Sequence, residues 1–122
     1  MQCFRVDIGI PFAGPYCVIR NSQEASDALG RFYVRNKITD ILNDDFFADN
    51  VAICFMQHES SGSIRHTLKD VVIDEDITIR IVCHMPYIGT CDMASWLCIV
   101  SLPKEIYDRK YPLRVVTLRE WD

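Results

Sequence analysis

Cys91 stands in GTCDMASW, residues 89–96, with a threonine before it and an aspartate after it. A thiol nucleophile needs a base within hydrogen-bond reach and surroundings that favour the thiolate. The nearest histidine in sequence is His84, seven residues upstream across Pro86 and Gly89. Asp92 works against ionisation of its neighbour, because two negative charges side by side repel. No glycine-rich loop accompanies the cysteine to hold an oxyanion. A structural corner explains the same residues more simply. Pro86 ends a strand because it cannot donate to a ladder. Gly89 allows a backbone conformation closed to other residues. Thr90 and Asp92 can bond nearby amides, and Met93 and Trp96 can fill apolar space as the next strand begins. The corner is the favoured reading; a thiol-dependent enzyme using Cys91 with His84 as base is the rival.

The three histidines raise a second chemistry, since His58, His66 and His84 fall on three consecutive strand candidates and three imidazoles can bind zinc. Aligning them would put Lys69 opposite Ile81 and Arg65 on the face carrying Ile77 and Ile79. Two-residue turns at Ser61-Gly62 and Asp74-Glu75 sort the residues better. Val51, Ile53, Phe55, Leu68, Val72, Ile77, Ile79, Ile81 and Cys83 then share one face, as a half-buried sheet requires. His66 joins that face and His84 does not, so no metal site is expected. The opposite face gains one row of His58, Arg65 and His84 and another of Cys54, Lys69 and Arg80. Arg65, Lys69 and Arg80, with His58 and His84, therefore form a candidate surface for an anionic or acidic protein partner. A plain solvated face is the competing explanation. Asp70 sits on the apolar face in this register, which is its weak point.

These side chains need a scaffold, and the hydrophobic periodicity supplies one. CFRVDIGI and YCVIR, residues 3–10 and 16–20, read as short extended segments separated by the turn-forming PFAGP. NSQEASDALGRFY reads as a helix capped by Asn21, with Ala25, Ala28, Leu29 and Phe32 on one stripe. KITDILND suggests a second short helix, and NDDFFADN a solvated turn anchored by Phe46 and Phe47. From residue 51 the period becomes two, in VAICFMQH, IRHTLKDVVI, ITIRIVCHM, WLCIVSL and LRVVTLRE. Short connections force antiparallel hairpins. The expected fold is α+β and rich in β: an antiparallel sheet of five or more strands with a helix from the N-terminal third on one face, in a single domain over residues 1–122.

Composition excludes more than it assigns. A length of 122 residues, 49% hydrophobic and 25% charged, suits a soluble domain with a real core. The net charge of -4 argues against general nucleic-acid binding. GRFYVRNK, which mixes Arg31, Arg35 and Lys37 with Phe32 and Tyr33, could stack a base, but an amphipathic helix end accounts for it equally. No apolar run is long enough to span a bilayer. The opening MQCFRVDIGIPF lacks a basic start and an uninterrupted apolar stretch, so the expected location is cytoplasmic, or exported and envelope-associated if a leader precedes it. The six cysteines show no Cys-x-x-Cys spacing and are expected to be reduced. No phosphate loop, dinucleotide fingerprint or calcium loop is present, and no cofactor is expected.

SSGSIRH, residues 60–66, and GTCDMASW together resemble motifs of small bacterial domains related to the C-terminal region of PrcB, a protease-complex subunit. The order of elements over residues 16–103 is similar as well. The resemblance implies a β-rich, non-catalytic accessory domain, often exported or lipid-anchored, that helps to stabilise or assemble a protease. It carries over positions and no catalytic residues: Ser60, Ser61, Gly62 and Arg65 at one hairpin, and Thr90, Asp92, Met93 and Trp96 at the corner around Cys91. This sequence departs from those domains in lacking a leader or lipobox cysteine. The resulting expectation is a protein-interaction or accessory module acting through the basic face, the 90–96 loop, or a sheet edge that accepts an extended strand from its partner. A small inhibitor encoded by a mobile element is a further alternative.

Overall fold

A computed structural model describes residues 1–6, 14–30, 32, 35–108 and 112–121, leaving aside the side chains of residues 35 and 36. Asp7 to Ile10 of the first extended segment lie outside this set, as do Arg31 and Tyr33 of the base-stacking reading. Seven strands are described: β1 (Gln2–Val6), β2 (Cys17–Ile19), β3 (Asn50–Glu59), β4 (Arg65–Ile73), β5 (Ile77–Met85), β6 (Ala94–Pro103) and β7 (Leu113–Trp121). Four helices accompany them: α1 (Ser22–Leu29), α2 (Arg35–Ile41), α3 (Asp44–Asp49) and α4 (Lys104–Tyr107). The fold is α+β and rich in β.

Local chemistry accounts for the helix starts. The Asn21 side chain accepts from the Glu24 amide at 2.8 Å and opens α1, with Ala25 and Leu29 buried one turn apart. Asn43 accepts from the Phe46 amide at 3.0 Å and opens α3, whose first turn carries Asp44 and Asp45, the charge a helix N-terminus favours. Asp44–Asp49, most of the segment 43–50, is therefore a helix rather than the expected turn. Phe47 is buried, and its ring meets Phe46 edge-on at 5.0 Å.

The strands do not make one sheet. β1-β6-β3-β2 is a four-stranded antiparallel sheet, and β4-β5-β7 is a separate three-stranded one. β4 and β5 pair antiparallel, whereas β5 and β7 run parallel. A parallel neighbour needs a long return connection, and the chain supplies it by passing through β6 and α4. The expected hairpin at Ser61-Gly62 is instead a crossing: residues 60–64 carry the chain from the first sheet to the second.

The inward faces meet in one apolar cluster. Val51, Ile53 and Phe55 of β3 and Cys98, Val100 and Leu102 of β6 pack with Ile77, Ile79 and Ile81 of β5. A second cluster joins Ala25, Leu29, Phe32, Ile38, Leu42 and Phe47 to Val6, Ile19, Ala52, Cys54, Leu97 and Ile99 of the four-stranded sheet.

The β4–β5 register resolves the Asp70 difficulty. Ile73 pairs with Ile77, so residues 74–76 form the turn, one residue longer than expected. A bulge between Leu68 and Asp70 restores the count, and Leu68 pairs with Ile81 and Arg65 with His84 as anticipated. Between turn and bulge every residue of β4 changes face. Asp70 becomes the partner of Arg80, Val71 packs into the core, and Val72 is 41% exposed instead of inward.

Candidate functional site

Along β3 the inward positions run Val51, Ile53, Phe55, Gln57, Glu59, so the space between the sheets turns polar toward one end. Gln57 reaches across to Thr117 Oγ1 of β7 at 3.3 Å. Glu59 is buried, with its side chain 3% exposed, and its carboxylate meets all three strands of the facing sheet. His66 Nε2 of β4 donates to Oε1 at 2.9 Å, the Cys83 thiol of β5 to the same oxygen at 3.4 Å, and Arg119 Nη1 of β7 to Oε2 at 3.2 Å. Burial alone would raise the Glu59 pKa; the three donors outweigh it and hold the carboxyl below its ordinary value. Cys83 moves the other way. Burial first, then the adjacent Glu59 charge, push its thiol up to about 11, so it is a protonated donor and not a nucleophile. Arg119 Nη1 also lies 3.4 Å from Cys83 Sγ and 3.5 Å from Met85 Sδ, and its half-exposed side chain connects the cluster to solvent.

The SSGSIRH and GTCDMASW stretches meet beside this cluster. Ser61 Oγ lies 2.9 Å from Thr90 Oγ1 and 2.8 Å from Ser63 Oγ, and the Thr90 amide donates to Ser63 Oγ at 3.2 Å. The Gly62 amide donates to Asp92 Oδ1 at 3.3 Å, and Arg5 Nη2 of β1 donates to Asp92 Oδ2 at 2.7 Å. Hydrogen bonds from Thr90, Arg5 and Gly62 hold the Asp92 carboxyl well below the usual range. A side chain at position 62 would collide with the Asp92 carboxylate, and one at 89 would press on Ser61 Oγ at 3.1 Å. Glycine serves at both places by letting two loops approach closely. Thr90 and Asp92 thus latch the corner to the 61–63 crossing, in addition to any local turn they close.

That latch presents apolar side chains to the outside. Tyr87 is 89%, Ile88 84% and Met93 84% exposed; Trp121, paired with Met85 at the root of the same loop, is 75% exposed. Met93 therefore does not plug the core as anticipated. Trp96 does pack against the inter-sheet cluster, although its buried indole N–H has no partner among the described residues. Cys91 and Ser60 are exposed on the two latched segments.

The basic face is reduced. Arg80 forms a two-pronged ion pair with Asp70, which the bulge brings opposite it, and Lys69 occupies the bulge in place of facing Arg80. Arg65 and His84 pair across β4 and β5 as anticipated, with His84 Nε2 2.7 Å from Thr67 Oγ1. His58 belongs to the other sheet, where it pairs with Ser95 and its Nδ1 lies 2.8 Å from Ser95 Oγ, so it cannot extend that row. The three histidines fall on three different surfaces. A cleft of about 510 Å³ between Tyr16, Arg20, Tyr107 and Pro112 lies toward the Ile77 end, away from the latched loops.

Sequence reasoning placed His66 inward but missed its partner Glu59 and the Arg119 that pairs with the same carboxylate. Both sit in the inward phase of their strands, at the ends of Val51-Ile53-Phe55-Gln57-Glu59 and Leu113-Val115-Thr117-Arg119, and that phase was the available signal. No family model, curated protein or solved structure matches the chain.

Proposed function

We propose that this chain is a non-catalytic interaction or accessory module that seats the 86–93 loop in an apolar groove of a protein partner. The observation that carries the reading is the gathering of Tyr87, Ile88, Met93 and Trp121, all at least 75% exposed, at one end of the molecule. Scattered exposed apolar residues are ordinary, but a group of them on a braced loop is the form an interaction site takes. The bracing matters because a loop already held by Asp92 and Thr90 loses little conformational entropy on binding. The resemblance to PrcB C-terminal-like domains points toward the same accessory role, with a protease complex as the partner it suggests. Arg65 and Lys69 form a secondary, basic margin; Arg80 contributes little because Asp70 already neutralises it.

The thiol-enzyme alternative has less behind it. Cys91 is exposed beside the ionised Asp92, and His84 Nε2 is engaged with Thr67 on the outer face of its sheet.

The test is capture from an extract of the source cells, using the wild type, a Tyr87→Ser, Ile88→Ser variant and an Arg65→Glu, Arg80→Glu variant. Loss of a specific partner with the first variant, and only weakening with the second, is the expected pattern, with thermal midpoints unchanged. Undiminished capture by the first variant would remove the loop as the contact surface. Alkylation of Cys91 much faster than that of an unfolded thiol would bring the enzyme reading back.

A further inference from the structure

We propose that Glu59, His66 and Cys83 form a binding site for a divalent transition metal of the zinc type. The three donor atoms lie within 4.8 Å of one another, all on buried residues. Carboxylate, imidazole and thiolate together form a ligand set that zinc accepts and that hard ions such as magnesium and calcium do not favour. Tetrahedral zinc places its ligand atoms about 3.3 to 3.6 Å apart. The separations of 3.4 Å from Cys83 Sγ to Glu59 Oε1 and 2.9 Å from His66 Nε2 to the same oxygen are close to that spacing. The third pair, His66 Nε2 and Cys83 Sγ, lies within 4.8 Å and has to close by no more than about 1.3 Å to reach that spacing.

The ligands come from three strands and both sheets, Glu59 from β3 and His66 and Cys83 from β4 and β5. The metal would therefore tie the two sheets together at the end where the apolar core gives out. Arg119 is the metal's competitor. Its guanidinium supplies the positive charge beside Glu59, and its half-exposed side chain can swing outward to admit the ion. Met85 Sδ, 3.8 Å from Cys83 Sγ, lines the same entrance, leaving the fourth position to water or the thioether. On binding, the Cys83 thiol proton leaves to solvent. The imidazole proton moves to Nδ1, so that the Nε2 lone pair faces the ion. The inference does not depend on the proposed docking loop, since it concerns buried donors and not the exposed apolar group.

Cobalt(II) titration of the reduced 122-residue chain tests it, because cobalt reports a bound thiolate by a charge-transfer band in the near ultraviolet. One equivalent is expected to generate the band, zinc to abolish it, Cys83→Ser to remove it, and Cys91→Ser to leave it unchanged. Arg119→Gln is expected to tighten binding. A readout on the unaltered chain guards against misfolding of the Cys83 variant: zinc should move the imidazole nitrogen signals of His66 in NMR. The signals of His58 and His84, assigned through His58→Gln and His84→Gln at exposed or half-exposed positions, should stay in place. Absence of stoichiometric binding, a band that follows Cys91, or movement of His58 or His84 instead of His66 would each overturn the site.

Discussion

The space between the two sheets has an apolar end and a polar end, and strands β3 and β5 are held at each by different physics. At the apolar end Ile53, Phe55, Ile77, Ile79 and Ile81 are essentially inaccessible to water and interlock without direction. Each such side chain contributes about 1.5 to 3 kcal/mol by leaving water. At the polar end one carboxylate, Glu59, holds three strands through three directed bonds. A buried charge of this kind contributes little net stability compared with a well-packed apolar replacement, yet it costs much if one partner is removed. The contrast separates two tasks. The apolar end supplies stability; the polar end fixes how the sheets align beneath the latched loops, where register matters more than strength.

The largest effects should come from substitutions that attack each end directly. Phe55→Ala is expected to cost about 4 kcal/mol through the cavity it leaves, at any pH where the protein folds. Glu59→Gln is expected to cost about 3 kcal/mol near neutrality, because His66 and Arg119 lose the charge they surround. The second cost must depend on pH. The folded-state pKa of Glu59 lies below its ordinary value, so its contribution is complete above the unfolded carboxyl pKa of about 4.3 and disappears as pH falls through the folded value. Urea midpoints measured from pH 7 down to the acid limit should therefore show the Glu59→Gln deficit shrinking and the Phe55→Ala deficit constant. A Glu59→Gln deficit that stays level with pH would show that the charge is not what the polar end depends on.

An intermediate effect is expected at the latch. Gly62→Ala places a methyl group against the Asp92 carboxylate and should cost roughly 1 kcal/mol. Adding Asp92→Ala should recover part of that loss, and the sign of the coupling in a double-mutant cycle checks it. The latch should also open in acid, for the Asp92 pKa is depressed and its bonds to Gly62 and Arg5 vanish only once the carboxylate protonates. The Gly62 amide chemical shift should hold steady through the usual carboxylate range and move only below it. Movement at ordinary carboxylate pH would mean that the latch is not formed in solution.

Much of this fold was legible in the strand periodicity, and the part that was not has a definite cause. Alternation says which residues of a strand point inward but not whether two strands lie side by side or face each other. Val51, Ile53 and Phe55 carry the same pattern in either arrangement, and the 60–64 connection is short enough for a hairpin and long enough to cross between sheets. The β5–β7 parallel pair was hidden for a related reason, as it depends on where β6 goes between them. The bulge did leave a trace, since Asp70 faced the core in the unbulged register. The buried cluster was the hardest to see. His66, Cys83 and Arg119 stand 7, 24 and 60 residues from Glu59. They are neighbours only because two sheets stack.

The smallest effect should come from Arg80, and it sharpens the comparison by showing what an exposed charge pair does. Arg80 and Asp70 oppose each other across β4 and β5 on the outer face, with about a third of each side chain in contact with solvent. Both groups are held in their charged forms by the pair, but water and salt screen the attraction and the two long side chains give up freedom to make it. Arg80→Ala should leave the urea midpoint unmoved at physiological salt, although the pair is geometrically better than the contact of Arg119 with Glu59. Arg119→Ala, which uncovers a buried carboxylate, should destabilise measurably under the same conditions. If the two variants behaved alike, burial of Glu59 would not be the source of its leverage, and the distinction between the two ends of the inter-sheet space would fail at the residue that most clearly expresses it.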